Sequence, residues 1–204
     1  MTRGRFITLE GGEGAGKTTQ AVRLAAALET RGLSVLRTRE PGGAPGAEVL
    51  RGILLDGGID WSPRAETLLH FAARAEHVAR TVQPALEAGT WVVCDRFYDS
   101  TMAYQGFGQG ADRAFIAAQI GLLGFAPDLT LVLDVPDAVA AERTRRRGLA
   151  PDRYERENAG FHARVRDGFR RIAAAEPRRC VLVNAAGDIE IVHAAIMRAV
   201  SERL

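Results

Sequence analysis

The stretch Gly11-Gly12-Glu13-Gly14-Ala15-Gly16-Lys17-Thr18 fits the pattern G-x-x-x-x-G-K-[ST] at every fixed position. Arg5 to Glu10 before it read as a strand, and Lys17 to Arg31 carry apolar residues at helical spacing up to Gly32. A glycine loop between a strand and a helix points backbone N–H groups at an anion beside the positive end of the helix dipole. The stretch therefore predicts a phosphate-binding loop, and a glycine-rich turn without a ligand is the alternative.

Lys17 is the only lysine in a chain with 26 arginines. This composition indicates that lysine stands where a compact ammonium is needed and a planar guanidinium does not serve. We expect Lys17 to reach the β and γ phosphates of ATP, and the Thr18 hydroxyl to take a place on Mg²⁺. The residues predicted to bind ATP are Gly11, Gly12, Glu13, Gly14, Ala15, Gly16, Lys17, Thr18 and Thr19.

The length and composition of the chain favour one cytoplasmic domain. With 204 residues, 47% of them hydrophobic, the chain is long enough for one good core and short for two. It contains no run of about 18 apolar residues, and its first residues lack the apolar core of a signal peptide. The net charge of +2 is too small to indicate a nucleic-acid or membrane partner. Cys94 and Cys180 lie far apart in apolar runs, which is typical of reduced core thiols.

Short apolar runs alternate with helical stretches along the rest of the chain. The runs are 33–37, 91–94, 129–133 and 180–183. Unbroken runs of this length are typical of parallel strands that are buried on both faces. Helix signals lie between them, at Ser62-Pro63, Gly89, Asp112 and Pro177. The pattern predicts an α/β fold with five parallel strands and ligands bound at the carboxyl edge of the sheet.

One strand end and one helix carry further candidates. We expect Asp95 to orient a water on Mg²⁺ and Arg96 to clamp an acceptor phosphate, although the two could instead form a buried structural ion pair. The helix rich in arginine from Arg143 to Arg147 is broken by Gly148 to Pro151 and resumes at once. This pattern predicts a lid at about 143–155 that carries guanidiniums over the transferred phosphoryl group. A solvated helix face is the alternative.

Several segments together resemble the bacterial thymidylate kinase family. They are Leu9-Glu10-Gly11 before the loop, Thr38 to Gly43, Asp95-Arg96 with Ser100-Thr101, Ala103 to Gly106, and Pro127 to Leu131 with Leu133-Asp134. The resemblance covers nearly the whole chain. It implies a P-loop fold with strand order 2-3-1-4-5, phosphorylation of dTMP to dTDP with Mg-ATP, and a homodimer.

The resemblance also implies roles for single residues. Glu13 would hold the 3′-hydroxyl of dTMP, Arg96 its phosphate, and Arg74 the O4 atom of thymine. A guanidinium donates to O4, whereas the amino group of cytosine would meet it donor to donor. The residues expected around the base, the sugar and the acceptor side are Glu40, Arg51, Ser100, Thr101, Tyr104 and Gln105.

Two assignments stay open. The family places an aromatic ring, usually Phe, four residues before the arginine that reads thymine. His70 stands there in this sequence with Phe71 next to it, so either ring could stack on the base. The loop contains Glu13-Gly14 and no arginine, which resembles the subclass that takes its catalytic arginine from the lid. The candidates are Arg143, Arg147 and Arg153.

Other functions are weighed against this one. A GTPase switch needs an Asn-Lys-x-Asp motif, which cannot occur because Lys17 is the only lysine. Protein kinases are excluded because His-Arg-Asp and Asp-Phe-Gly are absent from the sequence. Another nucleoside or nucleotide phosphotransferase is the nearest alternative, and a noncatalytic ATP-binding regulator is the alternative from a different class.

Overall fold

A computed structural model describes residues 3–56, 58–148 and 153–204. The strands are β1 (Phe6–Glu10), β2 (Val35–Arg39), β3 (Trp91–Asp95), β4 (Leu129–Asp134) and β5 (Cys180–Asn184). The α-helices are α1 (Lys17–Glu29), α2 (Pro45–Leu55), α3 (Pro63–His77), α4 (Gln83–Glu87), α5 (Tyr98–Thr101), α6 (Arg113–Leu123), α7 (Asp137–Arg147), α8 (Ala159–Ala175) and α9 (Ile189–Arg203). Two π-helical segments, Val78–Val82 and Met102–Gly108, extend α3 and α5.

The five strands form one parallel sheet in the order β2-β3-β1-β4-β5. This confirms the predicted fold class and strand order. The central strand β1 is buried over all five residues, whereas the edge strand β2 is partly exposed. The strand β2 begins at Val35, two residues later than predicted, because Gly32 adopts φ 80° and Leu33 still donates to the carbonyl of Leu28 at the end of α1.

Helices cover both faces of the sheet. On one face, Ile7 and Leu9 of β1 pack with Leu24 of α1 and Ile196 of α9. On the other face, Phe6 packs in the cluster that includes Phe71, Val78 and Phe97. Successive side chains of a strand point to opposite faces, so the five buried residues of β1 supply both cores.

The helix boundaries follow the predicted signals. The Ser62 hydroxyl accepts a hydrogen bond from the Ala65 amide, and Pro63 is the first residue of α3. Asp112 caps α6 by accepting from the Ala114 amide. Gly89 adopts φ 80° after α4.

Over the described ranges, no helix is both long and apolar enough to cross a membrane. Cys94 and Cys180 are free and buried, as predicted.

The fold brings the ends of four strands to one edge of the sheet. Leu9 at the end of β1 lies beside Asp95 at the end of β3, and Asp134 ends β4 next to Asn184 of β5. The predicted lid falls partly on described residues: α7 ends at Arg147 and α8 begins at Ala159. Residues 149–152 and the side chain of Arg147 lie outside the described part of the chain.

Candidate active site

A cavity of about 820 Å³ opens at the carboxyl edge of the sheet. The predicted substrate residues on its wall are Glu13, Glu40, Arg51, His70, Arg74, Arg96, Ser100, Thr101, Tyr104 and Gln105. Gly14, Ala15, Gly16, Lys17, Thr18, Thr19, Asp95 and Arg143 line it as well. Gly11 and Gly12 line a neighbouring cavity on the other side of the loop. The structure therefore gathers the phosphate loop and most predicted acceptor residues around one space.

The phosphate loop needs its glycines. Gly11 has φ 138° and Gly14 has φ 68°, and a Cβ there would lie 2.5 Å from the Leu133 carbonyl oxygen and 2.3 Å from that of Ala140. The Nζ atom of Lys17 donates to the carbonyls of Gly11 and Gly12 at 3.1 and 2.8 Å. Burial lowers the pKa of this ammonium below its usual value, because the charged form loses hydration.

The predicted metal residues are in direct contact. The Thr18 hydroxyl at the start of α1 donates to the Asp95 carboxylate at the end of β3 at 2.5 Å. A hydroxyl ligand and a carboxylate that orients a metal-bound water fit Mg²⁺, which takes few protein ligands and completes its octahedron with water and phosphate oxygens. Over the described ranges, no group of three His, Cys, Asp or Glu side chains could hold a metal. The pair therefore suits a metal carried in with a nucleotide.

Arg96 sits on a strained turn that a buried carboxylate holds. Its φ of 72° lies in the left-handed region that non-glycine residues seldom adopt. Glu10 accepts hydrogen bonds from the Phe97 amide at 2.8 Å and from the Ser100 hydroxyl at 2.6 Å. Burial, followed by the neighbouring carboxylate of Asp99, raises the pKa of Glu10 above its usual value. These bonds fix the turn on both sides of Arg96.

The guanidinium of Arg96 joins several groups on the cavity wall. It donates to the carbonyl of Gly11 at 3.1 Å, to the Ser100 hydroxyl at 3.1 Å and to the Tyr104 hydroxyl at 2.9 Å. It also pairs with the Glu13 carboxylate, which accepts from the Tyr104 hydroxyl at 2.8 Å. Arg96 thus takes part in an ion pair, and both partners face the cavity.

Arg74 is held at the other end of the cavity by Glu40. Its Nε donates to Glu40 at 2.7 Å, and one Nη donates to the Thr101 hydroxyl at 3.2 Å. The other oxygen of Glu40 lies 3.0 Å from Nδ1 of His77. The second Nη of Arg74 is buried and has no hydrogen-bond partner among the residues that the structure describes. Because that nitrogen is a donor, the pocket is suited to a ligand that accepts a hydrogen bond.

His70 and Phe71 take different positions. His70 lines the cavity, and its Nε2 lies 3.0 Å from the hydroxyl of Tyr154. Burial, and then the positive charge of Arg74, lowers the pKa of His70 to about 3, so the ring is neutral near pH 7. Phe71 instead packs in the core, with the Arg74 guanidinium carbon 4.8 Å above its ring centre. Stacking of His70 on a base stays a prediction.

The guanidiniums of Arg143 and Arg153 contact different parts of the protein. Arg143 donates to the carbonyls of Ala185 and Gly187 at 2.9 and 3.0 Å. Arg153 pairs at 2.8 Å with the buried Glu66, which lies on the same helix as Arg74. The hydrogen bonds and ion pairs of these two guanidiniums among the described residues do not reach the phosphate loop. A role of either residue at the transferred phosphoryl group stays a prediction.

Sequence reasoning missed two parts of the site. The loop after β5 contributes Ala185, Gly187 and Asp188 to the cavity wall, but its residue types carry no signal. The buried carboxylate Glu66 and its lid partner Tyr154 were also missed. A signal for Glu66 existed, because Glu66, His70 and Arg74 recur at intervals of four and so share one face of α3.

Known proteins that are similar to this chain in sequence or in structure carry the same name. The family model described as thymidylate kinase matches residues 9–196. A protein of Rhizorhabdus wittichii named thymidylate kinase is 56% identical over 205 residues, covering 98% of this chain and 99% of the relative. One of Gluconobacter oxydans with the same name is 53% identical, covering 99% and 96%. A crystal structure of thymidylate kinase from Ehrlichia chaffeensis superimposes with a TM-score of 0.80 at 37% identity, covering 98% of this chain and 99% of that one.

The chain belongs to the thymidylate kinase family. This confirms the family identified from the sequence segments, and with it a kinase of the P-loop fold. Nothing in the comparisons favours a different phosphotransferase or a noncatalytic regulator. Within this thymidylate kinase fold, the cavity joins the phosphate loop to the pocket at Arg74.

Proposed function

We propose that the protein transfers the γ-phosphoryl group of ATP to the 5′-phosphate of dTMP, giving dTDP and ADP, as a step of dTTP synthesis. The observation that carries the proposal is Arg74, which lines the cavity that also contains Lys17 and has one buried Nη without a partner among the described residues. A buried donor without a partner disfavours a ligand that presents another donor. Thymine presents a carbonyl oxygen at position 4, whereas cytosine presents an amino group.

The position of each residue in the cavity indicates its role in the reaction. Arg96 would bind the acceptor phosphate, with Glu13 and Tyr104 beside the sugar, because these three side chains form one hydrogen-bonded group. Lys17 would neutralise charge on the transferred phosphoryl group. Thr18 would bind Mg²⁺ directly and Asp95 would hold it through a water, and the ion would neutralise phosphate charge when it is bound. Catalysis would then rest on alignment and charge, with no covalent intermediate on the enzyme.

Arg143 acts at the donor side in this proposal. The contacts of Arg143 with the loop after β5 support a place for the ATP base between that loop and α7. We propose one domain over residues 1–204, with a lid at about 143–155 that supplies the arginine for the transferring group. Arg143, Arg147 and Arg153 remain the candidates for that arginine.

We further propose a cytoplasmic homodimer. Val49 and Ile53 lie one turn apart on α2 and are 66% and 40% exposed, and Leu68 on the adjacent α3 is 46% exposed. Exposed apolar side chains on neighbouring helices are typical of an interface. Light scattering during size-exclusion chromatography would measure the mass. A monomer at micromolar concentration would contradict the dimer.

The experiment that tests the function measures ADP formation with Mg-ATP and a panel of acceptors. The panel contains dTMP, dUMP, dCMP, dGMP, AMP, UMP and thymidine. We expect dTMP to be preferred by a wide margin. Preference for thymidine or another monophosphate would refute the acceptor assignment, and ATP binding without turnover would favour a regulator.

A matched pair of variants tests the role of Arg74. Arg74→Leu should lower kcat/KM for dTMP by about 100-fold, since a charged hydrogen bond to the base is lost. Arg80→Leu is the control, because Arg80 on the following π-helical segment is 71% exposed. Equal activity of the two variants would show that Arg74 does not read the base.

A further inference from the structure

Glu66 is a buried carboxylate that joins three segments behind the base pocket. It lies in the first turn of α3 and is 0% exposed. One oxygen accepts hydrogen bonds from Gln105 at 2.7 Å, from Gln109 at 3.1 Å and from the Tyr154 hydroxyl at 2.8 Å. The other oxygen pairs with Arg153 at 2.8 Å. Glu66 therefore connects α3, the end of the second π-helical segment and the lid.

The contacts of Glu66 determine which way the amide of Gln105 faces. A carboxylate only accepts hydrogen bonds, so the amide must turn its nitrogen toward Glu66. The same nitrogen donates to the Tyr154 hydroxyl oxygen at 3.2 Å, since the single proton of that hydroxyl goes to Glu66. Both amide hydrogens are then in use. The carbonyl oxygen of Gln105 is the atom left for a ligand.

Gln105 and Arg74 line the same cavity with opposite polarity. Arg74 has an N–H without a partner among the described residues, and Gln105 has a carbonyl oxygen that its contacts with Glu66 and Tyr154 do not use. A carbonyl next to a ring N–H, as in thymine and uracil, complements a donor and an acceptor that line the same cavity. Cytosine has the reverse arrangement at the same two positions. The direction of the Gln105 amide therefore contributes to the choice between pyrimidines.

The same carboxylate holds the lid residues. Arg153 is the guanidinium that Glu66 contacts in the described part of the chain, and its side chain is only 17% exposed. Tyr154 is 7% exposed and packs edge-on against Tyr104, with ring centres 5.5 Å apart. If these two lid residues moved away, Glu66 would lose a cation and a donor at a buried place, which is unfavourable.

We propose that Glu66 is a positioning residue that couples recognition of the base to the seating of Arg153 and Tyr154, the two lid residues that it contacts. It turns the amide nitrogen of Gln105 away from the base, and it holds Tyr154 on the wall of the same cavity and Arg153 beside it in sequence. A ligand that contacts Gln105 and Tyr154 stabilises this arrangement. Binding of the base therefore stabilises the contacts of the two lid residues with Glu66, and these contacts in turn raise the affinity for the base. The inference rests on the proposed dTMP kinase function.

Two substitutions at Glu66 separate the two tasks. Glu66→Gln keeps a carbonyl that can accept from Gln105 but removes the charge that holds Arg153. We expect it to keep the ratio of kcat/KM for dTMP over dCMP within about 3-fold and to increase opening of the lid by about 10-fold. Glu66→Leu removes both contacts, so the ratio should also fall by about 10-fold.

Lid opening is measured without ATP, as the rate of trypsin cleavage after Arg145 and Arg146, with and without dTMP. Both side chains are almost 80% exposed, at 79% and 78%, so cleavage reports on the backbone around them. dTMP should slow cleavage of the wild type more than that of either variant. Glu76→Gln is the control, because this carboxylate is 39% exposed on the same helix, and it should match the wild type.

The proposal would be overturned if both Glu66 variants matched the wild type in cleavage and in the dTMP to dCMP ratio. An equal loss of turnover with both bases and unchanged cleavage would indicate a purely structural role and would overturn it as well. If the Glu66 variants do not fold, Arg153→Gln breaks the same pair from the lid side and should raise cleavage similarly. Absent turnover of dTMP by the wild type would refute the proposed function instead, while cleavage without ligand would still test the lid contact.

Discussion

Substitution of Glu40 alone should destabilise the protein more than substitution of Glu40 and Arg74 together. Both side chains are 2% exposed, and they are joined by an ion pair of 2.7 Å. Glu40→Leu leaves the guanidinium buried without its carboxylate, which costs about 3–5 kcal/mol. At about 2.1 cal/mol/K of unfolding entropy per residue, 204 residues give about 0.4 kcal/mol/K, so Tm should fall by about 7–12 °C.

The double variant Glu40→Leu with Arg74→Met removes both charges. Replacement of a buried ion pair by apolar side chains is often close to neutral, so the double variant should regain at least half of the lost stability. Circular dichroism would record thermal unfolding, and urea titration would give the free energy. Glu190→Ala is the control: its exposed pair with Arg23 has side chains 75% and 35% exposed, and the expected loss is below about 1 kcal/mol.

Two results would refute this reasoning about desolvation. One is a Glu40→Leu variant whose free energy of unfolding lies within about 1 kcal/mol of the wild type, since a charge left unpaired at this site must be costly. The other is a double variant that is no more stable than the single one. In that case the loss would come from packing and not from the charge of Arg74.

Three further outcomes are expected. Lys17→Ala should lower kcat by about 100-fold or more, because a charge contact in the transition state is lost. Near-normal turnover of this variant would refute the catalytic role of Lys17. Asp95→Asn should raise the Mg²⁺ concentration for half-maximal rate by about 10-fold in a magnesium titration, and an unchanged midpoint would remove Asp95 from the metal site. The pKa of His70 is lowered to about 3 in the folded protein, whereas an unperturbed histidine has a pKa of about 6.5. As pH falls below about 6.5, the imidazole of His70 is therefore protonated in the unfolded chain but stays neutral in the folded protein. Stability should therefore drop between pH 6.5 and pH 4.5 by up to about 1.4 kcal/mol per pH unit, and His70→Phe should show a shallower slope in urea titrations at each pH.

The sequence predicted the fold because its signals are local. The strand, glycine loop and helix around Lys17 are contiguous, and short apolar runs identify buried parallel strands wherever they occur. Asp95 and Arg96 were found in the same way, since they directly follow a strand whose carboxyl end must lie beside the loop. The resemblance to thymidylate kinases added the strand order and the residues around the base.

The local sequence does not determine which of the two rings, His70 or Phe71, lines the cavity. The two rings are neighbours in sequence and nearly equally buried, at 8% and 7%. Helical spacing places both near Arg74 and does not distinguish them. Only the packing of α3 against the sheet puts His70 on the cavity wall and Phe71 beneath the guanidinium of Arg74.

The sequence by itself determined the phosphate loop, the parallel sheet and the edge at which ligands bind, because these depend on backbone geometry within short segments. Only the tertiary structure decided which charges meet. Arg74 and Glu40 are 34 residues apart, and Arg143 reaches carbonyls more than 40 residues away. Tyr154 and Glu66 are 88 residues apart. Such pairs form because a buried polar group must find a partner that the fold brings near, and no spacing along the chain records that partner.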